Sequence, residues 1–457
     1  TKYSIKDDTR KAVGTDIILH INEESKSFLE ESKVTDLVKK YTNFLPVEIE
    51  VNGKVANDQS PLWVQSPTET KDEDYKEFYK KMFPYNQEPL FWIHLNVDYP
   101  FNLKGILYFP KVMHELDANK GQVKLFCKQV FVSDKANDVI PEFLTLLQGA
   151  LDCPEIPLNV SRSYLQNDPY VQKISKHIIK KVADKLNDLF KKDKSRFESI
   201  WTDISPFIKY GMMQNDDFYQ KVKDIIIFDS SLGYKTNIPD YLERNKENIT
   251  DKVIYCADKE GQATYVNMCK EQELEVLFVH ALIDTHFIQF IESKDTKVKY
   301  VAVDSELSDI LVDDSKKSTV VDKDNKTEDD KLETIFKERL GDDKLKVEVK
   351  SLKSESVSGM VLESEYIKRM KQMNQFMKGA DMPTFEDLTL VVNSNNSLVK
   401  NILKLHNTAG KEELVKQLCL HVFDLSKMAK QQLTGEQMQA FVQRSNELML
   451  QLSEEKK

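Results

Sequence analysis

The chain has 457 residues, 40% hydrophobic and 31% charged, with 65 Lys and Arg against 75 Asp and Glu and a formal net charge of −10. That length allows roughly two to four domains with real cores under a heavily charged surface. The acidic balance argues against a nucleic-acid partner, because phosphate neutralisation dominates such affinity, and no run of about eighteen apolar residues marks a membrane span.

The opening TKYSIKDDTRK lacks the apolar stretch of a signal peptide, so a cytoplasmic location is expected. Residues 17–21 read as a strand, followed by a short helix that ends near residue 41. Residues 43–67 contain Pro46, Gly53, Pro61 and Pro67 and read as a linker with one strand at 47–51. From 68 to about 189 helices and strands alternate. The clearest strands are 91–97, 103–109 and 123–132, and their close spacing favours antiparallel neighbours within a mixed sheet.

Residues 149–186 follow, GALDCPEIPLNVSRSYLQNDPYVQKISKHIIKKVADKL. Arg162 and Gln166 sit in a loop without glycine, just ahead of a helix that Asp168 can cap and Pro169 can open. Val171, Ile174, Ile178, Val182 and Leu186 recur at helical spacing and mark its buried face. A guanidinium in such a loop offers five donors and keeps its charge. Pairing with a local carboxylate is the ordinary alternative.

Residues 191–240 read as helical, with Phe197, Ile200, Trp201 and Ile204 on one face. Strands at 253–257, 275–279 and 300–303 alternate with helices at 261–272 and 285–293, which implies a small parallel sheet. Residues 304–341 are dense in Asp, Lys, Ser and Thr and read as a solvated loop and a charged helix start. Residues 344–351 and 388–392 look like strands, and everything after 397 is helical.

Tyr366, Met370, Met373 and Met377 fall at helical spacing, with Phe376 beside them. Flexible methionine suits a surface that adapts to many partners, and ordinary packing is the alternative. Residues 412–433 and 435–452 form a helical hairpin, in which Thr434 and Gln437 make a capping box. Met438, Phe441, Val442, Leu448, Met449 and Leu452 are too many apolar residues for one hairpin to cover. Two copies paired into a four-helix bundle would bury them, so a homodimer is expected.

Cys127, Cys153, Cys256, Cys269 and Cys419 are odd in number and widely spaced, with no CxxC pair, so neither disulfides nor a metal site is expected. Cys127 reads as a small core residue. A Cys153–His177 nucleophile pair is disfavoured, because such pairs are recognised by geometry that sequence separation cannot supply.

The stretch 149–186 resembles the catalytic-loop region of the ninety-kilodalton heat-shock chaperones in their bacterial HtpG form. Other segments resemble the same family in the same order. GTDIILHINEESKSFLEESKVTDLVKKYTNFLPVEIEV is similar to the end of its N-terminal ATPase domain, and DEDYKEFYKKM, LKGILYFP and VKLFCKQVFVSD to its middle domain. ELEVLFVHALIDTHFIQFI is similar to the smaller α/β unit that follows, and VVNSNNSLVKNIL and FVQRSNELMLQL to the C-terminal dimerisation domain.

The resemblance implies a multidomain α/β (α+β) chain. Residues 1–41 would be a remnant of the ATPase domain and 42–67 a linker. Residues 68–304 would be a middle domain, with a large mixed-sheet α/β unit at about 68–190, a helical connector at about 191–245 and a small α/β unit at about 246–304. A charged linker at 305–333 would lead to a mixed C-terminal domain at 334–457 that ends in the helical hairpin. The family's nucleotide-binding asparagine, aspartate and glycine-rich lid have no counterpart here, which implies a truncated chain that does not bind ATP tightly alone and is no enzyme by itself. The intact protein would be a slow ATPase using ATP and magnesium. In it Arg162 would reach the terminal phosphate with Gln166 beside it, and Phe131 would lie near the same domain contact. Unfolded or partly folded client proteins would bind the helix carrying Tyr366, Met370, Met373, Phe376 and Met377. The alternatives are a non-enzymatic protein-binding scaffold and the transducer domain of a related DNA-processing ATPase, against which the acidic charge counts.

Overall fold

A computed structural model describes the chain except for residues 1–3, 8, 10, 112–120, 135, 137–138, 156–168, 280–281, 306–310, 314, 316–325, 365, 369, 371–387, 431–432 and 455–457. The architecture is mixed α/β, as expected, and divides into two compact units, Thr1–Val182 and Ala183–Lys457.

In the first unit, residues 17–21 are not the expected strand. A strand needs a partner for its backbone groups, and these residues pair with none among the described residues. Ile17 is 81% exposed. A 3₁₀ turn at Glu23–Leu29 leads into helix α1 (Glu31–Tyr41), which carries Lys39 and Lys40 where cations favour a helix end. In place of a strand at 47–51, β1 (Glu50–Val51) and β2 (Lys54–Val55) form a short hairpin. Its turn residues Asn52 and Gly53 both take positive φ, 51° and 75°. Helix α2 (Asp72–Met82) buries Tyr75, Phe78 and Tyr79 at helical spacing.

The large sheet contains β3 (Phe91–Val97), β4 (Leu103–Phe109), β5 (Val123–Cys127), β6 (Val130–Ser133) and β7 (Gln148–Asp152), in the order β3-β4-β7-β5-β6. Its pairs are antiparallel except β5 with β7. The single strand expected at 123–132 is a tight hairpin. Lys128 and Gln129 take φ of 50° and 65°, the left-handed region a two-residue hairpin turn needs, and the backbone folds back there. Under the sheet Phe44, Trp63, Phe78 and Phe126 pack as an aromatic cluster, with Phe44 and Trp63 centroids 4.9 Å apart and edge-on. Helix α3 (Pro169–Lys192) starts at the expected proline, and Val171, Ile174, Ile178, Val182 and Leu186 are all buried.

The second unit opens with α4 (Lys194–Gln214) and α5 (Asp216–Val222). Residues 191–240 are not helical throughout. The β-branched run Ile225 to Ile227 leads into β8 (Ile227–Ser230), which turns through Gly233 at φ 88° into β9 (Lys235–Asn237) before α6 (Ile238–Asn245). Then come β10 (Lys252–Cys256), α7 (Ala263–Glu271), β11 (Leu277–Phe278), α8 (Leu282–Lys294) and β12 (Lys299–Ala302). The sheet order is β12-β10-β11-β8-β9. The three expected parallel strands are present, and the unforeseen hairpin pairs antiparallel to them, so the sheet is mixed.

Helix α9 (Glu328–Leu340) starts in a capping box between Thr327 and Asp330 and ends at Gly341, φ 62°. Strands β13 (Lys346–Lys350), β14 (Gly359–Glu363) and β15 (Leu388–Asn393) form a sheet ordered β13-β15-β14. The remaining elements are helices α10 (Ser397–His406), α11 (Glu412–Met428) and α12 (Gly435–Glu454). Met360, Leu362 and Val391 of the last sheet join Ile254, Cys256, Tyr265 and Val276 in one buried cluster, so the two sheets of this unit share a core. Among the described residues no helix is long and apolar enough to cross a membrane.

Candidate functional site

The end of β7 is organised around one carboxylate. Asp152 is buried, and its Oδ2 accepts from the Trp63 indole N–H at 3.4 Å and from the Gln129 backbone N–H at 3.0 Å. Burial lifts this carboxyl above the usual range, and the two donors oppose that. The bond to Gln129 ties the left-handed turn of the β5–β6 hairpin to β7. On that hairpin Phe131 is half-buried, edge-on to Phe126 at 5.9 Å and to Tyr41 of α1 at 5.8 Å. Phe131 therefore bridges the sheet and α1.

After Cys153, whose N–H bonds to the Phe126 carbonyl at 2.9 Å, the chain leaves the sheet. It is described again from Pro169 in α3, where Tyr170 and His177 pack edge-on against Phe101 at 5.9 and 5.6 Å. Arg162, Gln166 and the expected cap Asp168 lie outside the described residues. The structure describes the chain on either side of them, the buried end of β7 and the first turns of α3. Burial raises the Cys153 thiol far above its ordinary range, which removes the thiolate that a Cys153–His177 nucleophile would need.

Of the expected client-binding residues, Tyr366 is 72% exposed and Met370 half-buried. Met373, Phe376 and Met377 lie outside the described residues. Sequence reading missed the neighbouring ionic cluster. Lys368, half-buried overall, touches Asp304 with its Nζ, whose Oδ1 also accepts from Gln262 at 2.6 Å. Lys430 lies 3.7 Å from Asp304 and 3.5 Å from Glu363. Burial and the charge of Lys430 pull Lys368 down to about 7. No spacing in the sequence joins residues 262, 304, 363, 368 and 430.

The final hairpin is clasped by an Arg444–Asp424 ion pair at 2.5 Å and by His421 stacked on Phe441, centroids 4.9 Å apart and rings 8° from parallel. Thr434 and Gln437 form the expected capping box, with bonds of 3.2 and 3.3 Å. Met438, Val442, Met449 and Leu452 are exposed, and Phe441 and Leu448 are half-buried. Leu425, Met428 and Leu450 of the same hairpin are also exposed. Among the described residues no group of three His, Cys, Asp or Glu could hold a metal ion.

The comparisons with known proteins agree along nearly the whole chain. A family model described as "Hsp90 protein" matches residues 47–457. The chaperone protein htpG of Bacteroides fragilis (strain 638R) is 40% identical over 430 residues, which cover 88% of this chain and 62% of that protein. HtpG of Porphyromonas gingivalis (strain ATCC 33277) is 37% identical, covering 91% and 63%, and HtpG of Fusobacterium nucleatum is 30% identical, covering 90% and 69%. The chain thus spans under two thirds of the length of the first two relatives. With that match running from residue 47, ahead of the large sheet, to the exposed terminal hairpin, the chain belongs to the Hsp90 family.

Proposed function

We propose that the chain forms the middle and C-terminal parts of an ATP-dependent chaperone that binds and remodels unfolded or partly folded proteins as a cytoplasmic homodimer. The observation that carries this reading is the family match across residues 47–457. The ATP-binding domain would lie in the share of the relatives that this chain does not span, with residues 1–41 as its last segment. The middle part would run to about residue 304 and the C-terminal part from about 334.

In this reading Arg162, which follows β7 and precedes α3 in the sequence, contacts the terminal phosphate of ATP carried by that domain, and Gln166 lies beside it. A fixed guanidinium there offsets the charge that develops on the phosphoryl oxygens. ATP would bring its magnesium with it and supply the phosphoryl group that is transferred to water. Phe131, bridging the sheet and α1, would transmit the docking of that domain. Tyr366 and the methionines after it would meet clients, and the exposed face of α12 would pair with a second copy.

The test uses the intact protein. Arg162→Ala should slow hydrolysis by about tenfold or more with nucleotide binding retained. Unchanged hydrolysis would remove Arg162 from the mechanism. The 457-residue chain alone should show no tight binding of labelled ATP, and micromolar binding would contradict the division of labour.

A further inference from the structure

The first unit contains a cleft of about 560 Å³ that shares Phe131 with the role proposed above and is otherwise unassigned. Its floor is aromatic, formed by Phe44, Phe126 and Phe131, with Phe44 and Phe126 centroids 5.6 Å apart. Its rim is cationic. Lys39 and Lys40 come from the last turn of α1, Lys81 from the last turn of α2, and Lys124 from β5. Asp58 and Asp134 are the acids in the wall, so the lining carries an excess of two positive charges in a chain whose total is −10.

Lys81 is already paired with Asp58. Lys39, Lys40 and Lys124 make no salt bridge among the described residues. Lys40 lies 5.0 Å from the Tyr41 ring centroid and Lys124 5.7 Å from that of Phe83. The helix dipole alone would account for Lys39 and Lys40. It cannot account for Lys124, which lies on an interior strand between β7 and β6. Alternation along this segment turns Gln122, Lys124 and Phe126 onto the cleft side. Lys124 is half-buried there, and burial draws its ammonium pKa down against the opposing pull of Asp134. Lys124 is thus an ammonium partly withdrawn from water with no acid bonded to it among the described residues. It suits a position that an anion enters from solvent.

We propose that this cleft binds a small organic phosphate, its dianionic head among Lys39, Lys40 and Lys124 and its ring against Phe126 and Phe131. Lysine is an effective point-charge partner for phosphate, and the volume falls within the usual range for small-ligand sites.

Calorimetric titration of the full chain with 1-naphthyl phosphate tests this. One saturable site is expected, with neither 1-naphthol nor inorganic phosphate matching it. Lys124→Gln should weaken binding by about tenfold, and Lys39→Gln with Lys40→Gln, on an exposed helix end, by a similar factor. Added salt should weaken it further. Arg162→Ala should leave it unchanged, which separates this cleft from the ATP role proposed above. Absence of saturable binding, equal binding of naphthol, or binding that survives both sets of lysine changes would overturn the proposal.

Discussion

Asp304 shows how much a single buried side chain can hold together. One oxygen accepts from Gln262 and is touched by Lys368, and the other faces Lys430 at 3.7 Å. These partners come from the turn before α7, the segment after β14 and the segment after α11. Two ammonium groups out of water with too little counter-charge would be unstable, and Asp304 and Glu363 supply it. Asp304→Asn keeps the shape and a bond to Gln262 but removes the charge. It should cost about 3 kcal/mol or more of stability, read as a lowered urea midpoint. Lys368→Met should cost less, because Lys368, held down to about 7, sheds its proton more readily than an ordinary lysine. Equal losses in the two variants would show that the carboxylate does not organise the cluster.

The hairpin of α11 and α12 carries an acid-sensitive contact. His421 lies flat on Phe441, with Arg444 and Asp424 as the charged groups facing it. Burial and Arg444 depress its pKa below the ordinary value, and Asp424 opposes them. A histidine depressed in the fold takes up a proton more readily when unfolded. Its contribution is intact above its unfolded value of about 6.5 and is lost as the pH falls toward the folded value. His421→Phe keeps the stack and removes the proton site. The fall in melting temperature between pH 7 and pH 5, on the order of a few degrees, should shrink in that variant, and an identical fall would place the acid sensitivity elsewhere. Elements of this kind were legible when local signals sufficed. The stripe from Val171 to Leu186 and the box of Thr434 and Gln437 each lie within one helix or its first turn. The hairpin turn at Lys128 and Gln129 was not legible, because neither residue is a usual left-handed type, and the bond that holds it comes from Asp152, 23 residues away. Strands β8 and β9 were hidden by the helices on either side. Residues 17–21 have strand composition, but strand structure needs a neighbour. Of the proposed site, residue types, order and Phe131 could be read, and the anchors Asp152 and Trp63 came only from tertiary packing.

For the whole molecule, the uncovered face of α12 sets the expectation. Met449 is 58% exposed and Leu452 68%, on a helix in which no described residue is buried. A patch of this kind marks an interaction surface. In sedimentation the chain should run as a dimer, and Val442→Asp with Met449→Asp should weaken association by about a hundredfold or more. A wild-type chain that stays monomeric at micromolar concentration would remove the dimer from the proposal. The two sheets of the second unit have a different relation, because Met360, Leu362 and Val391 are packed with Ile254, Tyr265 and Val276. Someone trimming this chain for crystallisation would find no harmless cut between β12 and β13. Either piece would come away with a freshly wetted oily side, prone to clump, and heating the uncut chain should melt both halves in a single calorimetric peak.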